Sequence, residues 1–475
     1  MLVDWLRRAL HVTDLTIMMY FFLINGSYLV LTLLAAVESW RHLRRSGHAG
    51  LDTTYRSRLA QPVSVLVPSF NEAAGIVAAT RAMQALRYPE FEIIIIDDGS
   101  TDDTFDRLQA AFDLVEVDRV IPDDLPSTGQ VRSVHVPRLR SDPLVVVRKD
   151  NGGKTDALAV GINLARHPLV CMVDADSVLD PEALLRVTQP FADDPLRVVA
   201  TGGVIRVANG CVVSGGRLVE ARMPSTWLPR IQVVEYLRSF LLGRAGWSRL
   251  GGLLVISGAF GVFRRDLLIE IGGLDPNCIG EDAELVVRLH RYLRQHGRDY
   301  RIPFVPEPVA WTEVPSTVRV LGRQRRRWHR GITEILYKHR AMLFNPRYGR
   351  IGLLVLPYYL VFEVLAPVIE IAGIVLVPVG VLVGVVDVVF AWWFLLVAYG
   401  FAFVVNLMAL TVEELTFHRY HRWWDLLLAG VASALEHAGY RQLSAFWRVH
   451  GIWSALRRSP QHWGVMVRQG LGGPR

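Results

Sequence analysis

Residues 15–37 carry no charged side chain and are mostly apolar. As a helix of about 23 residues they are long enough to cross a hydrocarbon core of roughly 30 Å. Arg41, Arg44, Arg45, Arg56 and Arg58 follow this run, against only Arg7 and Arg8 before it. That bias puts the downstream chain in the cytoplasm. The competing reading is a cleaved signal peptide ending near Ala35-Ala36-Val37, for which the apolar run is too long. Apolar residues make up 51% of the chain, and the excess sits at its two ends. Residues 351–385 are almost continuously apolar but interrupted by Pro357, Glu363, Pro367, Glu370 and Pro378. They exceed one crossing and fit either an interfacial segment plus one span or two short spans.

Residues 388–410 read as a cleaner span, and 423–438 as a poorer one bounded by Trp423, Trp424 and Tyr440, an interfacial aromatic belt. Residues 442–458 form a basic amphipathic stretch suited to a membrane surface. Glu363 and Glu370, in apolar surroundings, are expected to face a helix-bundle interior or a channel, paired with Arg or serving transport. Arg441, Arg448, Arg457, Arg458 and Arg468 argue for a cytoplasmic C-terminus. That topology needs an even number of spans after the first, yet three candidate segments are legible, and the sequence leaves the conflict open.

From residue 61 to about 345 the composition is that of a soluble α/β domain. Short apolar runs at 62–68, 91–96, 144–148, 169–173 and 198–207 read as strands, as does the glycine-interrupted run 253–263. Helical stretches are expected at 71–87, 101–112, 154–165 and 231–243. Alternation of this kind indicates βαβ units and a mainly parallel sheet. The net charge of +7, with Arg far outnumbering Lys, favours anionic partners. No nucleic-acid-binding module is evident, so membrane and nucleotide outrank nucleic acid. Cys171, Cys211 and Cys278 are few, odd in number and widely spaced, which fits a reducing compartment and neither a disulfide framework nor a zinc site. His418, Arg419 and His421 lack metal-ligand spacing. The absence of G-x-S-x-G, H-E-x-x-H and P-loop motifs leaves hydrolase and nucleoside-triphosphatase classes without support.

The stretch 170–180, V-C-M-V-D-A-D-S-V-L-D, ends an apolar run in Asp174 and Asp176. On an extended backbone residues i and i+2 point the same way, so both carboxylates would leave the carboxyl end of a strand together, where open α/β sheets bind ligands. Carboxylates so placed suit Mg²⁺ or Mn²⁺. The alternative is a solvated turn whose Asp residues cap a helix starting at Asp180-Pro181-Glu182.

Five motifs occur in order: V-P-S-F-N-E (65–72 region), D-D-G-S (97–100), D-A-D (174–176), G-E-D (280–282) and Q-R-R-R-W (324–328). Taken together and flanked by membrane spans, they resemble the processive, membrane-integrated family-2 glycosyltransferases, the cellulose, hyaluronan, chitin-oligosaccharide and poly-N-acetylglucosamine synthases. The resemblance covers nearly the whole chain. It implies an α/β GT-A fold, Rossmann-like with a mainly parallel sheet, plus an α-helical transmembrane region. It also implies a UDP-sugar donor, inversion at the anomeric carbon, a divalent metal and a growing polysaccharide as acceptor. The corresponding layout is an N-terminal transmembrane helix (1–45), a cytoplasmic transferase domain ending in an interfacial helix (46–345), C-terminal transmembrane helices (346–445) and a basic amphipathic tail (446–475). The expected location is the inner (plasma) membrane, multi-pass, with accessory secretion subunits or a second copy as candidate partners. A non-processive membrane transferase acting on a lipid or short acceptor is the competing reading.

Within that resemblance Pro68 and Glu72 belong to a turn lining the base and ribose, and Asp97 and Asp98 accept from uracil N–H or ribose hydroxyls. Lys154 opens a helix after two glycines and suits a diphosphate. Asp174 and Asp176 would hold the metal. The family pattern assigns the general base to Asp282, with Glu281 positioning it or binding acceptor, and helix capping as the plainer role. Gln324, Arg325 and Arg327 would face the diphosphate, and Trp328 would stack on the acceptor sugar. Residues 257–264 are expected to line the acceptor side, with Phe260 as a floor.

Overall fold

The computed structural model describes residues 2–46, 55, 60–139, 142–214, 217–417 and 422–458. Readings that rest on Arg56, Arg58, His418, Arg419, His421 and Arg468 lie outside the described residues. The chain divides into two compact units that interleave along the sequence. The described parts of Met1–Val37, Thr226–Gly246 and Pro315–Gly464 form a helical unit, and those of Glu38–Ser225 and Trp247–Val314 a sheet unit.

The strands of the sheet unit are β1 (Val63–Ser69), β2 (Phe91–Asp97), β3 (Leu114–Val117), β4 (Val131–Pro137), β5 (Leu144–Lys149), β6 (Leu169–Val173), β7 (Val178–Leu179), β8 (Ala200–Val207), β9 (Val212–Ser214), β10 (Arg217–Glu220), β11 (Phe260–Arg264) and β12 (Phe304–Thr312). Ten of them make one sheet in the order β3-β4-β5-β2-β1-β6-β11-β8-β12-β7, and β9 and β10 form a separate ribbon. The central strands β5, β2, β1 and β6 run parallel, which explains why V-S-V-L-V and I-I-I-I are buried continuously rather than alternately. β11 runs antiparallel between β6 and β8. Register pairs Val63 with Phe91 through to Ser69 with Asp97, so β1 and β2 end at the same edge. β6 lies on the other side of β1, and the sheet thus has its switch point between β2 and β6. Glu92 is buried in β2 but satisfied by the Ser64 hydroxyl at 2.7 Å and by Arg166.

The run 253–263 narrows to β11, since the backbone before it turns at Ser257–Phe260. The edge strand β3, its antiparallel neighbour β4 and the long β12 carry no clean apolar run and were not expected. The three cysteines are free thiols.

Among the described residues three helices are long and apolar enough to cross a membrane: Val12–Arg41, Ile351–Leu382 and Val388–Thr416. Their contact is apolar and aromatic, with Ile17, Phe21 and Ile24 against Val377, Phe394 and Ala398. The candidate segment 423–438 folds as the helix Trp423–Leu435 of 13 residues, broken where Ala438 and Gly439 leave helical geometry. At 1.5 Å per residue it rises about 20 Å, short of a bilayer core. Glu370 meets Arg441 at 2.8 Å and Glu363 meets Arg448 at 3.3 Å, so both carboxylates of this apolar stretch are paired with Arg.

Candidate active site

The carboxyl ends of β2 and β5, with Arg132 of β4, carry a cavity of about 300 Å³ lined by Asp97, Ser100, Thr101, Arg148 and Asn151 among others. That is the size of a small ligand pocket. Its rim is set by hydrogen bonds between two loops. The Asn71 amide donates to Ser100 Oγ at 3.0 Å, the Thr101 amide to Asn71 Oδ1 at 2.8 Å, and the Glu72 amide to Thr104 Oγ1 at 2.9 Å. Gly99 adopts φ 71°, and a Cβ there would meet the Asn151 backbone nitrogen at 2.8 Å, so only glycine fits this turn. Pro68 sits within β1 opposite Ile96.

The two aspartates of D-D-G-S have separate tasks. Asp97 lines the cavity and accepts the Ser100 amide at 3.1 Å. Asp98 turns inward, where it takes Lys149 Nζ at 2.5 Å, the Gly152 amide at 3.0 Å and the Gly153 amide at 2.8 Å. It therefore braces the loop that delivers Lys154. Lys149 was missed by sequence reasoning. It is wholly buried between Asp98 and Asp156, 2.7 Å from the latter, and donates to the Asp150 carbonyl at 2.6 Å. Its signal was the second of two cations, Arg148 and Lys149, closing the apolar run L-V-V-V of β5.

The second cluster stands at the end of β6. Lys154, the first residue of the helix Lys154–Leu164, contacts Asp174 Oδ1 at 2.5 Å and Glu281 Oε1 at 3.8 Å. Asp282 Oδ2 accepts the Gly258 amide at 2.9 Å and its Oδ1 accepts the Ala283 amide at 2.8 Å. Lys154, Glu281, Asp282, Ser257 and Gly258 line one small pocket. A carboxylate offers about four acceptor sites, so Asp282 keeps capacity beyond these two backbone donors. Glu281 and Asp282 open the helix Glu281–Gln295, whose N-terminal dipole favours their charge.

Two geometric expectations need correction here. β6 ends at Val173, and the Ser177 amide closes a turn onto the Asp174 carbonyl at 3.0 Å. Asp176 thus lies in a turn, and the extended i, i+2 argument does not describe it. Asp180 closes the next turn, accepting the Glu182 amide at 2.9 Å. Phe260 is fully buried in β11 beside Val173 and floors no open surface.

Burial, opposed by Lys154 and aided by Asp282 and Asp174, pushes the Glu281 carboxyl up from 4.5 to about 7. Burial works against the Lys154 ammonium, but Asp174 and Glu281 more than offset it and hold its pKa above the ordinary value. For Glu281 the folded value exceeds the unfolded one. The native state keeps a proton that the unfolded chain has lost between pH 4.5 and about 7, so stability falls as pH rises through that window. Replacing Glu281 with Gln is expected to remove this slope. Thermal unfolding at about pH 5 and about pH 8 should then show a smaller drop for the variant than for the parent. Equal drops would count against the assignment.

The Q-R-R-R-W residues lie in the helical unit on the helix Val318–Lys338. Arg325 is buried and bound to Glu235 Oε2 at 2.6 Å, so this guanidinium already has an anion. Its charged carbon sits 4.5 Å from the Trp328 ring centre, and Trp328 is 43% exposed. Gln324 Oε1 is buried without a hydrogen-bond partner among the described residues. Arg327 is half-buried.

A mostly parallel mixed sheet with acidic motifs at the carboxyl ends of its strands is the GT-A-like glycosyltransferase fold, and residues 136–331 match the family "Glycosyltransferase like family 2". That match takes in about two fifths of the chain. Its homologues include the poly-beta-1,6-N-acetyl-D-glucosamine synthases of Staphylococcus epidermidis and Staphylococcus aureus (strain COL). Each is 28% identical over 276 residues, covering 58% of this chain and 56% of the relative. The chain thus spans little more than half the length of these relatives. Among solved structures, the mannosyltransferase PcManGT from Pyrobaculum calidifontis, in complex with GDP-Man and Mn2+, aligns over 93% of this chain and 100% of its own. That alignment has 16% identity and a TM-score of 0.47.

Proposed function

We propose that the protein is a membrane-embedded, inverting, processive β-glycosyltransferase that polymerises a UDP-sugar and passes the product through its own helices. The observation that carries the reading is the convergence of Lys154, Asp174, Glu281 and Asp282 beside the carboxyl end of β6. In this reading the cavity at Asp97 takes the nucleoside, and Lys154 at its helix N-terminus neutralises the diphosphate. Asp282 takes the proton of the acceptor hydroxyl as its oxygen attacks the anomeric carbon. The bond from that carbon to the diphosphate breaks, and UDP leaves with the electron pair. Glu281 and Asp174 hold Lys154 between them. Trp328 serves the acceptor as its stacking face, with Arg325 held beside it by its ion pair.

Asp174, just past the end of β6, and Asp176, in the turn that follows, are hard oxygen donors, and Asp174 is one-third exposed with one oxygen engaged by Lys154. One or two carboxylates completed by phosphate oxygens are how Mg²⁺ is ordinarily held, so the donor set fits Mg²⁺ or Mn²⁺. Such an ion would supply charge neutralisation on the leaving diphosphate. Asp176→Ala is expected to weaken UDP binding about tenfold with Mn²⁺ present and to change it little in chelator. Equal losses in both conditions would remove Asp176 from the ligand set.

For topology, 1–45 and 346–445 anchor the protein, 46–345 carries the transfer chemistry, and 446–475 rests on the membrane surface. Two long apolar helices after the first give the even number that places both the transferase domain and the C-terminus in the cytoplasm. Purified protein incubated with radiolabelled UDP-sugars and Mg²⁺ or Mn²⁺, followed by linkage-specific digestion, tests the reading. UDP-N-acetylglucosamine is the first donor to try, given the names of the relatives. Products of a single added sugar would leave a non-processive transferase instead.

A further inference from the structure

The helix Trp227–Tyr236 contains one carboxylate, Glu235, that the proposed chemistry does not use. Its Oε2 accepts both Arg325 Nη2 at 2.6 Å and the Tyr440 hydroxyl at 2.8 Å. Arg325 is 7% exposed, and its Nε–H is buried without a hydrogen-bond partner among the described residues. An arginine placed only for stability would not leave that donor unmet, at a cost of about 1–3 kcal/mol. What the arrangement does fix is the place of the guanidinium, 4.5 Å from the ring centre of the exposed Trp328, one helical turn on.

Tyr440 reaches Glu235 because the chain breaks just before it. Gly439 adopts φ 101°, its amide is capped by Gln442 Oε1 at 2.8 Å, and the helix Arg441–Leu456 restarts in a new direction. That helix is seated tightly on the motif helix. A Cβ on Gly322 would meet Trp447 at 2.7 Å, and one on Gly451 would meet the Arg326 carbonyl at 2.7 Å. Leu321, Ile231, Val234, Ala432 and Tyr440 form one apolar cluster beneath the polar clamp.

We propose that Glu235, clamped by Tyr440, is the positioning residue that holds Arg325 over Trp328, and so sets how many sugars are added before the chain is released. The inference rests on the processive reading above, in which Trp328 is the acceptor's stacking face. Buried ion pairs contribute little net stability but fix geometry, and here the geometry belongs to the acceptor, not the donor. Loosening the clamp therefore shortens product without changing donor affinity.

The test compares product length and UDP-sugar KM for full-length protein in detergent. Glu235→Gln is expected to shorten mean product length about tenfold, with KM for the donor within about twofold of the parent. Glu235→Asp should recover part of the length. Should Glu235→Gln fail to fold, Tyr440→Phe decides. It keeps the ion pair, removes one hydrogen bond, and is expected to shorten product about threefold. Parent-length product from the variants, or length and donor KM deteriorating together, overturns the inference. Parent protein that adds single sugars overturns the processive reading and this inference with it. Parent polymer with unaltered variants overturns the inference alone.

Discussion

Asp282→Asn is expected to cut sugar transfer by about a thousandfold while UDP binds within about twofold of the parent. Asparagine preserves the volume and one of the two backbone contacts now made to Gly258 and Ala283. What it loses is the ability to take a proton, and a positioned base is worth about 10²–10⁴ in rate. The neighbouring carboxylate is a poor substitute. Glu281 is buried, is raised to about 7, and lies 3.8 Å from Lys154, so its proton state is tied to the diphosphate side. Glu281→Gln should therefore retain clearly more transfer than Asp282→Asn. Radiolabel incorporation at saturating donor, with UDP affinity measured separately, reads both quantities. Residual transfer above about a tenth for Asp282→Asn would move the base elsewhere.

The second large effect concerns stability. Lys149→Met leaves Asp98 and Asp156, whose side chains are 5% and 6% exposed, facing one another without a cation. Breaking a buried ion group by removing one member costs about 3–5 kcal/mol. For a unit of this size that is a fall in Tm on the order of 10 °C. Function should suffer too, because Asp98 holds the Gly152 and Gly153 amides that set the start of the Lys154 helix, and Asp156 holds the Thr128 amide at 2.5 Å. Adding Asp98→Asn and Asp156→Asn to Lys149→Met removes the stranded charges and should restore part of the Tm. A Lys149→Met protein melting within about 2 °C of the parent would show that the group carries no such weight.

The central sheet was readable because parallel strands covered on both faces must be continuously apolar. Leu169–Val173 matched to the residue, and 91–96 and 144–148 each fell one residue short, at Asp97 and Lys149. β4 and β12 escaped because an antiparallel strand next to the edge and a strand containing Pro306, Glu307 and Pro308 carry no such run. Motif order brought Lys154, Asp174, Glu281 and Asp282 to one neighbourhood, but it could not say which acidic group faces out. Asp97 and Asp98 are adjacent in the chain, yet one lines a cavity and the other anchors a loop. That division depends on Lys149 and two glycine amides some fifty residues later, which no local pattern encodes. Arg325 is the same lesson in the helical unit, since its anion lies ninety positions earlier in the chain.

The order in which the chain visits its two units has a practical outcome. Polypeptide passes from one to the other at residue 38, again at 226 and 247, and finally at 315. A water-soluble fragment spanning residues 60–345 would take with it the helices Trp227–Tyr236 and Val318–Lys338 while forfeiting Ala432, Tyr440 and Trp447, which cover Ile231, Val234 and Gly322. Freed of those neighbours, greasy flanks would meet water and self-associate. Transferase and anchor are thus woven, not strung in series, and no two cuts of the backbone release one intact from the other.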